Sequence, residues 1–314
     1  MAVTTATADT AVSAAPAESK KPGRFRETLA ALPWLSPALV LIAAIVIYPA
    51  GYMIYTSFRK FTKIGVETGA AGWSNYKIAL TYPGVNFPKV LMNTFIWVFV
   101  VVVATLVISL ALAQFLNKTF RFRKLVRLAV IIPWAASVVM TTSIFFYGLN
   151  PDYGLINKFM VDIGIIDAPI GFTKSAGSAF VVAIIVAVFV SLPFTTYTIL
   201  AGLQAVPNEV VEAAHMDGAG AAARYFKIIL PYLRPAISVA TLISIINVFN
   251  SLPILKILVE SPGYDGDITT TLIFKYKTTL GPGVSSALSV MNFLVVLVII
   301  GIYLIVVKPM KDRT

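Results

Sequence analysis

Six stretches of this chain, residues 36–57, 93–117, 128–149, 178–202, 236–255 and 286–307, are long, apolar and free of Asp, Glu, Lys, Arg and His. Each offers about the 20 residues that a helix needs to cross the hydrocarbon core of a bilayer, where only helices and closed barrels satisfy every backbone N–H and C=O. The remainder cannot clothe a soluble surface. Charged residues make up 12% of the 314, against roughly 25% in soluble domains. The runs therefore predict an all-α integral membrane protein with six transmembrane helices. Pro49, Pro133, Pro193 and Pro253 fall inside four of the runs; membrane helices tolerate such prolines where neighbours take up the freed carbonyls.

The chain has no cysteine, which excludes disulfides, thiolate nucleophiles and Cys-ligated metal centres. His215 is the lone histidine, and no nucleophile or second base accompanies it, so it reads as a solvated or interface side chain, with no catalytic residue, metal or cofactor expected. A net charge of +11 raises the question of nucleic acid. The basic residues, however, sit in short clusters beside apolar runs rather than on one amphipathic face, so membrane topology is the simpler cause and no nucleic acid is expected. With the N-terminus inside, fifteen Lys and Arg fall on the inner side and ten on the outer. This favours both termini in the cytoplasm, although Arg59, Lys60 and Lys63 run against the bias locally. Residues 1–32 are expected to be a disordered cytoplasmic tail, 33–307 the transmembrane domain, and 308–314 a short cytoplasmic tail. Lys20, Lys21, Arg24 and Arg26 before a long apolar run fit an uncleaved signal-anchor.

The most informative segment joins the fourth and fifth runs, over residues 204–235. It reads as helix, turn, helix. Pro207 and Asn208 can start a helix, with Asn208 as N-cap and Glu209 and Glu212 favoured early by the helix dipole; Asp217-Gly218 ends it, because glycine takes the left-handed conformation that closes helices. Ala213 and Ala214 permit close approach of another surface, and Glu212 offers a charge-assisted bond to a basic partner. Two readings fit: a docking helix, or an amphipathic connector lying on the membrane.

Glu212-Ala213-Ala214, three residues, Gly218, nine residues, then Ile228-x-Leu230-Pro231 resembles the EAA loop of bacterial ABC-importer permeases. Asp217, Ala219, Phe226 and Pro235 fit the fuller pattern of the carbohydrate permeases related to the maltose and glycerol-phosphate systems. The likeness extends to Pro37, Tyr48-Pro49, Ser57-Phe58, Asn75-Tyr76, Asn93-Thr94, Pro133-Trp134, the run from Asn150 to Gly154, and Ala201 to Gln204. It implies the type I ABC-importer permease fold, with the EAA loop as a cytoplasmic coupling helix in a cleft of an ATP-binding subunit. Glu212 would then pair with an arginine there, and Gly218 would permit the turn. It also implies a dimer of that ATPase, a second permease that is a distinct homologue, an extracytoplasmic substrate-binding protein, and a place in the bacterial cell membrane. Gly218-Ala-Gly220 lacks the Lys-Ser/Thr of a phosphate loop, so this subunit is expected to bind no ATP itself.

Polar side chains inside the runs are costly in hydrocarbon and face either a packed interior or an aqueous cavity. Ser244, Asn247 and Asn250 recur at a spacing of three on the fifth run, and Ser191, Thr195 and Thr198 on the fourth, beside Phe194. Amide, hydroxyl and ring groups suit a neutral polyhydroxylated ligand. The resemblance puts Ser191, Phe194, Asn247 and Asn250 at or close to sugar-contacting positions. Residues 259–267 depart from the family's usual outer loop. Two other classes compete with the importer: an ion-coupled secondary transporter and a membrane enzyme. Both are disfavoured because no run contains an acid, and the enzyme also because the chain has a single histidine.

Overall fold

A computed structural model describes residues 24–62, 64–259 and 265–307, without the side chains of 24–32. It divides into two units, Met1–Tyr52 and Met53–Thr314. The expected tails at 1–23 and 308–314, and the centre of the atypical outer loop at 260–264, lie outside the described residues. Helix α1 (Arg24–Ile42) begins within the stretch expected to be tail and passes through a π-helical turn, Ala43–Ile47, into α2 (Tyr48–Ser57). Pro37 has no N–H for the carbonyl four residues back, and Ser36 Oγ donates to that Pro33 oxygen at 2.8 Å instead. The π-turn lies just ahead of Pro49, and in it the Tyr48 N–H bonds Ala43 O, so the widened ladder passes the proline without ending the helix.

The second unit continues with strands β1 (Arg59–Phe61) and β2 (Glu67–Ala70), then α3 (Ser74–Thr81), α4 (Phe87–Asn117), α5 (Arg123–Ala135), α6 (Val138–Gly148) and α7 (Leu155–Asp162). After these come α8 (Ala176–Gln204), α9 (Asn208–Met216), α10 (Ala221–Arg224), a second π-turn at Tyr225–Ile229, and α11 (Leu230–Tyr232). The unit closes with α12 (Arg234–Phe249), α13 (Pro253–Leu258), α14 (Thr269–Thr279) and α15 (Pro282–Val307). Among the described residues four helices are long and apolar enough to span a bilayer: Pro33–Ser57, Phe87–Asn117, Ala176–Gln204 and Pro282–Val307. Counting each of two bent pairs as one span brings the number to six. Helix α4 is about 46 Å long at 1.5 Å per residue, well beyond a 30 Å hydrocarbon core, so it tilts or projects from it.

The two remaining runs are not the straight helices expected. The third is broken at Ala136–Ser137, both extended, and α5 and α6 meet there at 96°. Pro133 has already removed one ladder bond from the last turn of α5. The fifth run stops at Phe249 rather than continuing to 255. A proline at 253 cannot donate to the Phe249 carbonyl and would clash with it, so the chain leaves the helix at Asn250 and restarts with Pro253 in the first turn of α13. The hairpin was not anticipated. It pairs Arg59 with Ala70 and Lys60 with Gly69 in antiparallel register and is irregular after Lys60; Arg59 and Glu67 form an ion pair across it.

Packing of α4, α8 and α12 forms the core of the second unit. Trp97, Val101, Ala183, Val186, Val248 and Phe249 are buried together. Polar side chains stitch the same helices: Trp97 Nε1 donates to Val248 O at 3.0 Å, Thr196 Oγ1 to Ser109 Oγ at 3.1 Å, and Thr195 and Ser244 hydroxyls lie 3.4 Å apart. Several residues of the family likeness have local structural roles. Asn150 Oδ1 accepts the Asp152 N–H at 2.8 Å, closing a turn whose last residue, Gly154, has room only for hydrogen, since a Cβ would lie 2.4 Å from two carbonyl oxygens. Asn75 Nδ2 donates to Ser57 O and Arg59 O, both at 2.9 Å. Asn93 Nδ2 donates to the carbonyls of Asp265 and Asp267 at 2.9 and 3.1 Å, tying the segment before α14 to α4.

Candidate functional site

Helix α9 holds Glu212, Ala213 and Ala214. Pro207, not Asn208, occupies its N-cap position, with extended backbone and no side-chain cap; Asn208 is the first helical residue. The capping expectation fails because proline's fixed φ suits the residue before the helix, leaving Asn208 inside. At the other end the Gly218 N–H bonds His215 O at 3.1 Å and the Ala219 N–H bonds Ala214 O at 3.0 Å, while Gly218 has φ +77°. This is a Schellman closure, with Gly218 in the left-handed conformation expected of it. Glu212, Ala213, His215, Asp217 and Gly218 are exposed, Ala214 is buried, and Met216 is 86% exposed.

Both roots of this loop are anchored in one apolar cluster. Leu203 at the end of α8 and Leu233 before α12 are buried with Ala113, Leu116, Ile199 and Leu200. The two helices cross closely at Gly202, where an added Cβ would lie 2.7 Å from the Ala236 Cβ. Helix α8 therefore runs directly into the loop and α12 directly out of it, with their ends clamped together.

Higher on the same two helices lies a cavity of about 480 Å³, within the range of small-molecule sites. Ser191, Phe194, Thr195, Ser244, Asn247 and Ser251 line it, with Trp97 and Trp134. None of its lining residues is charged. Three of the four expected path residues, Ser191, Phe194 and Asn247, are thus brought together. Asn250 does not line the cavity. It sits past the end of α12 and donates Nδ2 to Ile246 O of its own helix at 2.8 Å; Ser251 takes the place on the wall that Asn250 was expected to hold. A second cavity of about 350 Å³ follows toward the loop end of α8, lined by Ile131, Pro193, Tyr197 and Thr198. Trp134 and Phe194 border both hollows. The two tryptophans were not singled out for this role. Their signal in the sequence was a ring inside an apolar run, for Trp134 directly after a proline.

Residues 105–312 match the family of binding-protein-dependent transport system inner membrane components. The chain is 31% identical over 291 residues to the sulfoquinovosyl glycerol transport system permease protein SmoG of Agrobacterium fabrum, covering 91% of this chain and 92% of that one. It is 29% identical over 295 residues to the trehalose/maltose transport system permease protein MalF of Thermococcus litoralis, covering 92% and 97%. The crystal structure of a bacterial ABC transporter involved in the import of the acidic polysaccharide alginate matches with a TM-score of 0.75 at 18% identity, over 92% of this chain and 98% of that one; at that identity the likeness is one of fold. The chain belongs to the family of binding-protein-dependent transport system inner membrane components, and it has the type I ABC-importer permease fold.

Proposed function

We propose that this chain is the permease subunit of an ATP-driven carbohydrate importer, forming half of its translocation path in the bacterial cell membrane. The supporting observation is one of connectivity. The helices that carry Ser191, Phe194 and Asn247 to the cavity are the two that enter and leave the loop around Glu212. Helix α9 is joined to α8 by residues 205–207 and to α12 by residues 217–233, so a push on it is passed to the two helices that wall the cavity. Glu212 and Ala213 are exposed for contact with an ATP-binding subunit, and Gly218 closes the helix that presents them. ATP is hydrolysed by a dimer of that partner, and this subunit is not itself an enzyme. A distinct homologous permease supplies the other half of the path, an extracytoplasmic binding protein delivers substrate, and both termini are cytoplasmic.

An uncharged cavity with hydroxyl, amide and ring groups suits a sugar: the rings stack on its apolar faces while Asn247, Ser191 and Ser251 exchange hydrogen bonds with its hydroxyls. Two relatives are named for sugar-containing substrates, sulfoquinovosyl glycerol and trehalose or maltose. Importer family membership favours this reading over a secondary transporter. The test is ATP hydrolysis by the complete transporter with its binding protein, measured across a panel of sugars. Stimulation by one sugar class is expected. Stimulation only by non-carbohydrate solutes overturns the substrate assignment.

A further inference from the structure

The loop between α4 and α5 carries Lys118 and Arg121, α5 opens with Arg123 and Lys124, and Arg127 follows one turn on. Two of the five serve the fold: Arg123 Nε and Arg127 Nη2 donate to Leu116 O at 3.0 and 3.1 Å, satisfying the last turn of α4. Lys118, Arg121 and Lys124 are exposed. Among the described residues the ion pairs are Arg59–Glu67, Lys89–Asp265 and Lys275–Asp267, so no carboxylate neutralises these three cations. Residues 119–125 curl around a hollow of about 330 Å³.

The same segment is unusually apolar for a charged loop. Phe122, Leu125, Leu128 and Ile132 are all about 60% exposed, and the last three recur at helical spacing along one face of α5. On the other face Val126 and Val130 pack against the cluster of Leu116 and Leu200. The outward stripe begins where the cations stand and runs on into the third apolar run, residues 128–149. The loop lies at the end of the bundle where α8 enters the 204–235 loop, since Tyr197 OH donates to Arg127 O at 2.8 Å.

We propose that this segment is a binding site for an anionic phospholipid. Lys118, Arg121 and Lys124 hold the headgroup phosphate, and the acyl chains run along Leu125, Leu128 and Ile132. Charge complementarity selects an anion, and the apolar stripe selects a lipid over a soluble acidic surface, because a water-facing docking patch has no use for a row of exposed aliphatic side chains beside its cations. Helix α5 carries Trp134 to the cavity wall about three turns further on, so the lipid would brace one side of that cavity. The proposal stands apart from the choice of transported substrate.

Native mass spectrometry of the purified full chain, incubated with phosphatidylglycerol or phosphatidylethanolamine, tests it. The wild type is expected to retain phosphatidylglycerol preferentially. Lys118→Gln, Arg121→Gln and Lys124→Gln combined should weaken that retention by roughly five-fold per charge, about a hundred-fold in all. No preference in the wild type, or an unchanged preference in the triple variant, overturns the proposal. A triple variant that keeps phosphatidylglycerol but loses association with the ATPase subunit assigns the cations to a protein partner and overturns it equally. Should the triple variant fail to purify, bimane at Phe122→Cys answers the question with the cations in place: brominated phosphatidylglycerol should quench it more than brominated phosphatidylethanolamine, and equal quenching refutes the site.

Discussion

Replacing Gly218 separates what the subunit itself requires from what its ATPase partner requires. The residue has φ +77°, and a Cβ added there meets no atom within 4 Å. A larger residue therefore costs the isolated subunit only the left-handed backbone penalty, about 1 to 2 kcal/mol for an ordinary L residue and less for asparagine. Side-chain size should add nothing. Purified Gly218→Asn, Gly218→Ala and Gly218→Leu should accordingly unfold within a few degrees of one another, at roughly 2 to 4 °C of Tm per kcal/mol lost. In the assembled transporter they should diverge. If the turn is packed into a cleft of the ATPase subunit, leucine overfills it at a cost of about 1 to 3 kcal/mol, or roughly 5- to 150-fold in affinity, while alanine stays near wild type. The assay pairs thermal unfolding of the subunit with ATPase-subunit binding and the ratio of uptake to hydrolysis in proteoliposomes. A Gly218→Leu protein that binds and couples as well as Gly218→Ala refutes the packed turn.

Gly202→Val should lower the Tm of the subunit, since its Cβ would lie 2.7 Å from that of Ala236 and overpacking costs about 1 to 3 kcal/mol; an unchanged Tm in differential scanning means the helices are not clamped there. Asn247→Leu should leave the Tm near wild type and abolish or redirect sugar uptake, whereas Asn250→Leu should leave uptake intact, because only Asn247 lines the cavity. Equal uptake defects in the two variants would remove that distinction. A cysteine at Asn208, introduced into a chain that has none, should react with an impermeant thiol reagent only after cells are opened. Labelling of intact cells places the loop outside.

The spans were legible because a bilayer leaves a helix few alternatives, and six uncharged runs announce themselves. Where the chain leaves those helices was less visible. The end at Phe249 follows from Pro253 acting four residues upstream. Extending the helix through 255 wrongly carried Asn250 onto the face of Asn247 and hid Ser251. The 96° break after Ala135 lies just past Pro133, but membrane helices tolerate such prolines, so neither the break nor its angle could be read from the run and Trp134 could not be placed at the cavity. The loop was the opposite case. Asp217-Gly218 dictated a local closure, and the Schellman bonds are there. The hairpin of Arg59–Phe61 and Glu67–Ala70 was missed because strands of three and four residues carry too little alternation to register.

The central claim is that the loop around Glu212 and the cavity at Asn247 move as one through α8 and α12. Its most direct test is the reactivity of a single cysteine at Asn247 in the assembled transporter, quantified on this subunit by mass spectrometry, with and without a non-hydrolysable ATP analogue. Nucleotide should change that reactivity at least several-fold, and Glu212→Ala, if it removes the proposed pair with the ATPase subunit at a cost of about 2 to 5 kcal/mol, should blunt the change while leaving the subunit folded. Reactivity that is the same with and without nucleotide, or a nucleotide response untouched by Glu212→Ala, contradicts the account.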